Sequence, residues 1–104
     1  MSAFEDRENA FETKYAHDAE MQFKAEARRN KLLGLWAAEL MGKSSDEADA
    51  YAKEVIKSDF EEAGDDDVFR KVSGDIGSAA DEATIRAKMA ELLAEAKAQL
   101  MSEI

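Results

Sequence analysis

The chain has 104 residues, 45 % of them hydrophobic and 37 % charged, with no cysteine, no proline and a formal net charge of −10. This is enough for one small domain with a modest core, and it excludes a disulfide framework and a cysteine-based zinc site. The acidic balance disfavours nucleic acid and anionic lipid as partners. No apolar run approaches the roughly 18–20 residues of a membrane span, so direct membrane insertion is not expected.

The charge is segregated. Residues 1–20 carry six acids and two bases, residues 21–43 five bases and two acids, and residues 44–67 ten acids and two bases. Lys24, Arg28, Arg29 and Lys31 form the one concentrated basic block, which reads first as a solvated helix face pairing with the acidic segments. The acidic start MSAFEDRENAF is not expected to be a signal or transit peptide, and the lack of cysteine fits a reducing, cytoplasmic setting.

The first predicted helix runs from about Ala3 to Met41 and ends at Gly42, a residue suited to a left-handed C-cap. Gly34 is its interior weak point, costing about 1 kcal/mol relative to alanine. Its apolar residues concentrate in LLGLWAAELM, Leu32 to Met41, which is expected to anchor the core with Trp36 inside it. At 1.5 Å per residue a continuous helix from Ala3 would be about 58 Å long and overhang a compact domain. Between Met1 and Glu20 the large apolar residues are Met1, Phe4, Phe11 and Tyr15, little surface against the entropy of ordering about twenty residues. Residues 1–17 are therefore expected to form a flexible arm with latent helicity, and residues 18–104 a four-helix domain. Phe23 is expected to be the first secure packing residue.

The second helix starts at SSDE, where Ser44 and Glu47 have capping-box spacing. Its stripe is Ala48, Tyr51, Ala52, Val55, Ile56 and Phe60, and it is expected to end near Ala63–Gly64. A short third helix follows GDDD, with Val68, Phe69, Val72 and Ile76, and stops at Gly77. The fourth caps at Ser78 or Asp81 and runs to about Met101, with Ile85, Met89, Leu92, Leu93, Ala96 and Leu100 on one face. No segment alternates as a strand does. The fold class is thus all-α, a four-helix bundle-like domain with a long N-terminal helix whose first part is a mobile arm. One bundle can bury these stripes, so a monomer is expected.

No catalytic motif is present. His17 is the single histidine and reads as solvated, with a modest pH-sensing role beside Asp18 as the alternative. The acidic run Asp59–Asp67 fails as a calcium loop, because a loop starting at Asp65 puts Arg70 at the glycine position and Ile76 at the bidentate glutamate position. No metal and no cofactor are expected.

The segments DRENAFETKYAHDAEMQFKAEARRNKLLGLWAAELMG and VIKSDFEEAGDDDVFRKVSGDIGS resemble the zeta subunit of the alphaproteobacterial F-type ATP synthase, in order and with matching spacing along essentially the whole chain. The resemblance implies a four-helix regulatory inhibitor rather than an enzyme. It also implies a partner, the catalytic head and central stalk of the membrane-bound synthase, and an N-terminal segment that enters a catalytic interface and blocks ATP hydrolysis. Carried onto this sequence, the inhibitory arm is Ser2 to Asp18. Phe4, Phe11 and Tyr15 are its anchors on one helical side, and Glu5, Asp6, Arg7, Glu8, Glu12 and Lys14 pair at the rim. Lys24, Arg28, Arg29 and Lys31 are possible secondary contacts. The competing reading is an acidic helical adaptor for another protein.

Overall fold

A computed structural model describes residues 19–60 and 64–103. Four α-helices occupy them: α1 (Ala19–Leu40), α2 (Ser45–Ser58), α3 (Asp66–Ile76) and α4 (Glu82–Glu103), with a 3-10 turn at Gly77–Ala79 and no strand among the described residues. The expected all-α, bundle-like domain is what the chain forms. The arm assigned to residues 1–17 lies outside the described residues.

Each helix end follows from local chemistry. α1 closes in a Schellman arrangement: Lys43 N–H donates to the Ala38 carbonyl at 3.0 Å and Gly42 N–H to Glu39 at 3.1 Å. Gly42 supplies the positive φ of 71° that this motif needs. α2 opens with the expected capping box, Glu47 N–H donating to Ser44 Oγ and Ser44 N–H to Glu47 Oε1. It ends at Ser58, earlier than the expected Ala63–Gly64. The Ser58 hydroxyl donates back to the Val55 carbonyl at 2.7 Å, and Asp59 is drawn toward α1 by Asn30. Of the two candidate caps for α4, Asp81 is used: Thr84 N–H donates to its carboxylate at 2.8 Å.

α1 packs against all three other helices. The core comprises Leu33, Ala37, Ala38, Tyr51, Val55, Val68, Val72, Ile76, Ile85, Met89 and Leu92. Much of it is built from small residues. Ala25, Ala37, Ala38 and Ala96 are fully buried, so the helices sit close and the removal of apolar surface from water is spread over many modest contributions. Within the Leu32–Met41 cluster only Leu33, Gly34, Ala37 and Ala38 are buried, while Leu40 is 42 % exposed. Trp36 is not interior. It is partly buried at the core's edge, with the Lys88 ammonium 5.9 Å from its ring centre. An indole at this edge covers the α1–α4 seam while keeping one face near water.

Two further expectations are corrected. Phe23 is 53 % exposed and Phe60 is 67 % exposed. Phe60 lies two residues beyond the end of α2, outside its last helical turn. Phe23 sits near the start of α1, at the edge of the groove that it lines with Ile56. The two rings instead meet each other, centroids 5.9 Å apart and tilted by 37°.

Candidate partner-binding site

The basic block lies on α1, and its four members have different fates. Arg28 reaches α4: its guanidinium donates to both carboxylate oxygens of Glu103 and, at 3.4 Å, to Gln99 Oε1. The hydrogen bond holds the Glu103 carboxyl below its usual range. Lys24 pairs with Glu20 one turn earlier at 3.3 Å. Lys31 is exposed and has no carboxylate partner among the described residues.

Arg29 points the other way. Its side chain is 1 % exposed. Its Nε donates to Asn30 Oδ1 at 2.7 Å and its Nη2 to Asp65 Oδ1 at 3.0 Å. Asn30, also buried, donates through Nδ2 to Asp59 Oδ2 at 3.0 Å. Two adjacent polar residues of α1 thus hold the acidic run at both ends, just after α2 and just before α3. Burial pushes the Asp59 carboxyl above its usual value, and the bond from Asn30 opposes this only in part. This network was not anticipated from the sequence, where Arg29 was grouped with the surface block. Its signal was the four-residue spacing Ala25, Arg29, Leu33, Ala37, which places Arg29 on the buried stripe.

Between the start of α1, the end of α2 and the end of α4 lies an open groove of about 570 Å³. Met21, Phe23, Ala27, Ile56 and Leu100 give it an apolar lining, and Lys24, Arg28 and Lys31 rim it against the single lining carboxylate of Glu103. Of the residues assigned to partner binding, Phe4, Glu5, Asp6, Arg7, Glu8, Phe11, Glu12, Lys14 and Tyr15 lie outside the described residues. The structure brings Lys24, Arg28 and Lys31 to one groove and turns Arg29 away from it.

A second polar cluster joins α2 to α3. The Tyr51 hydroxyl donates to Asp75 at 2.9 Å, and Lys71 bridges Asp75 at 2.9 Å and Glu54 at 3.3 Å. The ammonium groups of Lys71 and Lys43 stand 5.3 and 5.9 Å from the Tyr51 ring centre. Burial and the bond to Asp75 push the phenol well above its usual pKa. The Tyr51–Asp75 hydrogen bond and the Lys71–Glu54 ion pair tie α2 to α3. Among the described residues no helix is long and apolar enough to cross a membrane, and no acidic or histidine group has the geometry to hold a metal ion.

The fold is a small all-α domain whose polar clusters tie its helices and their connections together. The chain belongs to the ATPase inhibitor subunit zeta family, whose model matches residues 1–99. Among solved structures, a solution NMR structure is 67 % identical in sequence, covers 81 % of this chain and 99 % of its own, and superposes with a TM-score of 0.75. No curated protein matches the sequence.

Proposed function

We propose that this protein is a monomeric regulatory inhibitor of an F-type ATP synthase, acting on the catalytic head near the central stalk. It would reside in the cytoplasm, held at the membrane only through the synthase. The observation that carries this reading is the family match over residues 1–99, which begins at the first residue and so includes the N-terminal segment along with the helical domain.

The division of labour follows from the chemistry. Residues 1–17 are the arm and residues 18–104 the domain that carries it. Phe4, Phe11 and Tyr15 recur at seven- and four-residue steps, so a helix formed by this segment lays three aromatic rings along one side. Aromatic anchors bury much area with few rotors to freeze, which suits a narrow interface between two head subunits. The arm orders as it enters a half-closed catalytic interface and stops the hydrolytic cycle there. Rotation in the synthesis direction opens the same interface and expels it, so the device is a one-way stop. Ordering costs several kcal/mol of the gross interaction energy, which keeps the inhibitor removable.

The test is ATP hydrolysis by the matching F-type ATPase, titrated with full-length protein and with a Phe4→Ala, Phe11→Ala, Tyr15→Ala variant. The triple variant is expected to need at least tenfold more protein for half-inhibition, about 1.4 kcal/mol or more in binding. Equal potency of the two proteins would remove the arm from the mechanism.

A further inference from the structure

Phe23 lines the groove near the start of α1 and Phe60, just past α2, sets its ring beside it, yet the two remain 53 % and 67 % exposed. Lys31 and Ile56 line the same groove. Lys53 and Lys57 stand three residues before Ile56 and one after it, on the flank of α2 that carries Ile56. We infer that this face docks an acidic amphipathic helix of the F-type ATPase, a second contact beside the one made by the arm. The inference rests on the proposed inhibitory function and adds to it a partner surface on the folded domain.

Charge selects the kind of occupant. Lys31, Lys53 and Lys57 are exposed, and none of the three holds a carboxylate among the described residues, whereas Lys24 and Arg28 are paired with Glu20 and Glu103. α1 offers Lys31 no acid one turn away, where Ala27, Arg28, Gly34 and Leu35 stand. Glu54, three residues before Lys57, is held instead by Lys71 of α3. Lys53 and Lys57 are four residues apart on one helix, a like-charge spacing that opposes folding. In a chain of net charge −10, three cations thus surround apolar surface without an internal acid to meet them. A partner helix with acids flanking an apolar stripe supplies what is missing: carboxylates for the lysines and a cover for Phe23, Ile56 and Phe60. The groove is open and about 570 Å³ in volume, which suits the side chains of one helix face. An anionic lipid surface would meet the same lysines but be repelled by the acidic chain as a whole, and a second copy would bring the same net charge against itself.

Chain connectivity selects the ATPase as the bearer of that helix. α1 begins at Ala19, and Phe23 is four residues further, about 6 Å along the helix axis. A partner that holds the segment ending at Asp18 therefore stands beside this face. Two contacts on one partner act at high effective concentration, so a weak second contact raises overall affinity without itself blocking catalysis.

The experiment uses the full chain and the matching F-type ATPase. Lysine acetylation is read residue by residue by mass spectrometry in the free and the ATPase-bound protein. Loss of reactivity on binding is expected at Lys31, Lys53 and Lys57, with Lys43, exposed beyond the far end of α1, still reactive. Unchanged reactivity of the three lysines in the bound protein overturns the inference. Protection that appears without ATPase, either growing with the protein's own concentration or on vesicles of phosphatidylglycerol and phosphatidylcholine, assigns the face to a second copy or to a membrane and overturns it as well. In the hydrolysis assay, a Lys31→Glu, Lys53→Glu, Lys57→Glu variant is expected to need roughly tenfold more protein for half-inhibition, and Phe60→Ala, which changes no charge, is expected to lose potency too. Added salt is expected to weaken the native protein more than the triple variant. Native potency in both variants overturns the inference. A chain that inhibits while its three lysines stay reactive retains the proposed function and loses only this contact; a chain that neither binds nor inhibits loses both.

Discussion

Gly34 of α1 lies against the backbone of Ala52 in α2. A Cβ placed on Gly34 would stand 2.6 Å from Ala52 Cα and 3.2 Å from Ala52 Cβ. The two helices therefore cross at a distance that only hydrogen permits, and Ala52, itself 3 % exposed, completes the contact. Gly34→Ala improves helix propensity by about 1 kcal/mol. It also forces a methyl group into backbone that cannot rotate aside, where overpacking costs about 1–3 kcal/mol. The second effect wins: thermal unfolding of Gly34→Ala is expected several degrees below the native protein. A raised melting temperature would mean that the helices can separate freely at this crossing.

Arg29 is predicted to matter more for stability than any other member of the basic block. Removing it by Arg29→Ala leaves Asn30 Oδ1 without its donor and Asp65 without its partner. Asp65 is half exposed and recovers water, so the cost is set nearer to about 2 kcal/mol than to the full penalty of a stranded buried charge. Lys31→Ala, on an exposed side chain, is expected to change stability by less than about 0.5 kcal/mol. Urea unfolding of the two variants compares them directly.

The Ser44 cap offers a smaller, local test. Ser44→Ala removes the acceptor for Glu47 N–H and half of the capping box. A loss of about 1 kcal/mol is expected, with amide exchange in the first turn of α2 accelerated ahead of the core.

Stability should fall in acid, and the sign can be assigned group by group. Glu47 is held below its usual pKa by the Ser44 backbone N–H, Asp81 by Thr84 and Glu103 by Arg28. Asp75 is also lowered: burial acts upward on it, and the bonds from Lys71 and Tyr51 outweigh that. Each lowered carboxylate stabilises the fold above its unfolded pKa, about 4, and that contribution is lost as pH falls through the folded value. Asp59 acts oppositely. Its raised pKa means that protonation favours the fold and that its charge at neutral pH opposes it. Four groups against one predict a falling melting temperature below about pH 4. Asp59→Asn keeps an acceptor for Asn30, so its melting temperature relative to the native protein should be more favourable at pH 7 than at pH 3. The reverse order would contradict the burial of Asp59.

Helical periodicity and cap chemistry made most of this fold legible. The Ser44–Glu47 box, the Gly42 and Gly77 stops and the stripe of α4 all follow from short-range patterns that the structure keeps. What periodicity cannot encode is where a neighbouring helix ends. Phe60 falls on the apolar stripe of α2 yet lies past that helix's last turn, and Phe23, which meets it, stays half exposed. Gly34 looked only like a defect, because a close crossing depends on two helices far apart in sequence. Arg29 looked like surface because of its charge, although its spacing from Ala25 and Leu33 placed it on the buried face. The arm residues were assigned through family resemblance, since three aromatics among charges specify a helical side but not a partner.

The most direct measurement of the central claim is inhibition of the matching F-type ATPase by residues 19–104 alone, beside the full chain, with circular dichroism of both to establish an intact helical domain. If residues 1–18 are the inhibitory element, the full chain blocks ATP hydrolysis and the folded 19–104 fragment leaves it running at the uninhibited rate. Full inhibition by the fragment would contradict that claim and move the inhibitory surface onto the helical domain itself.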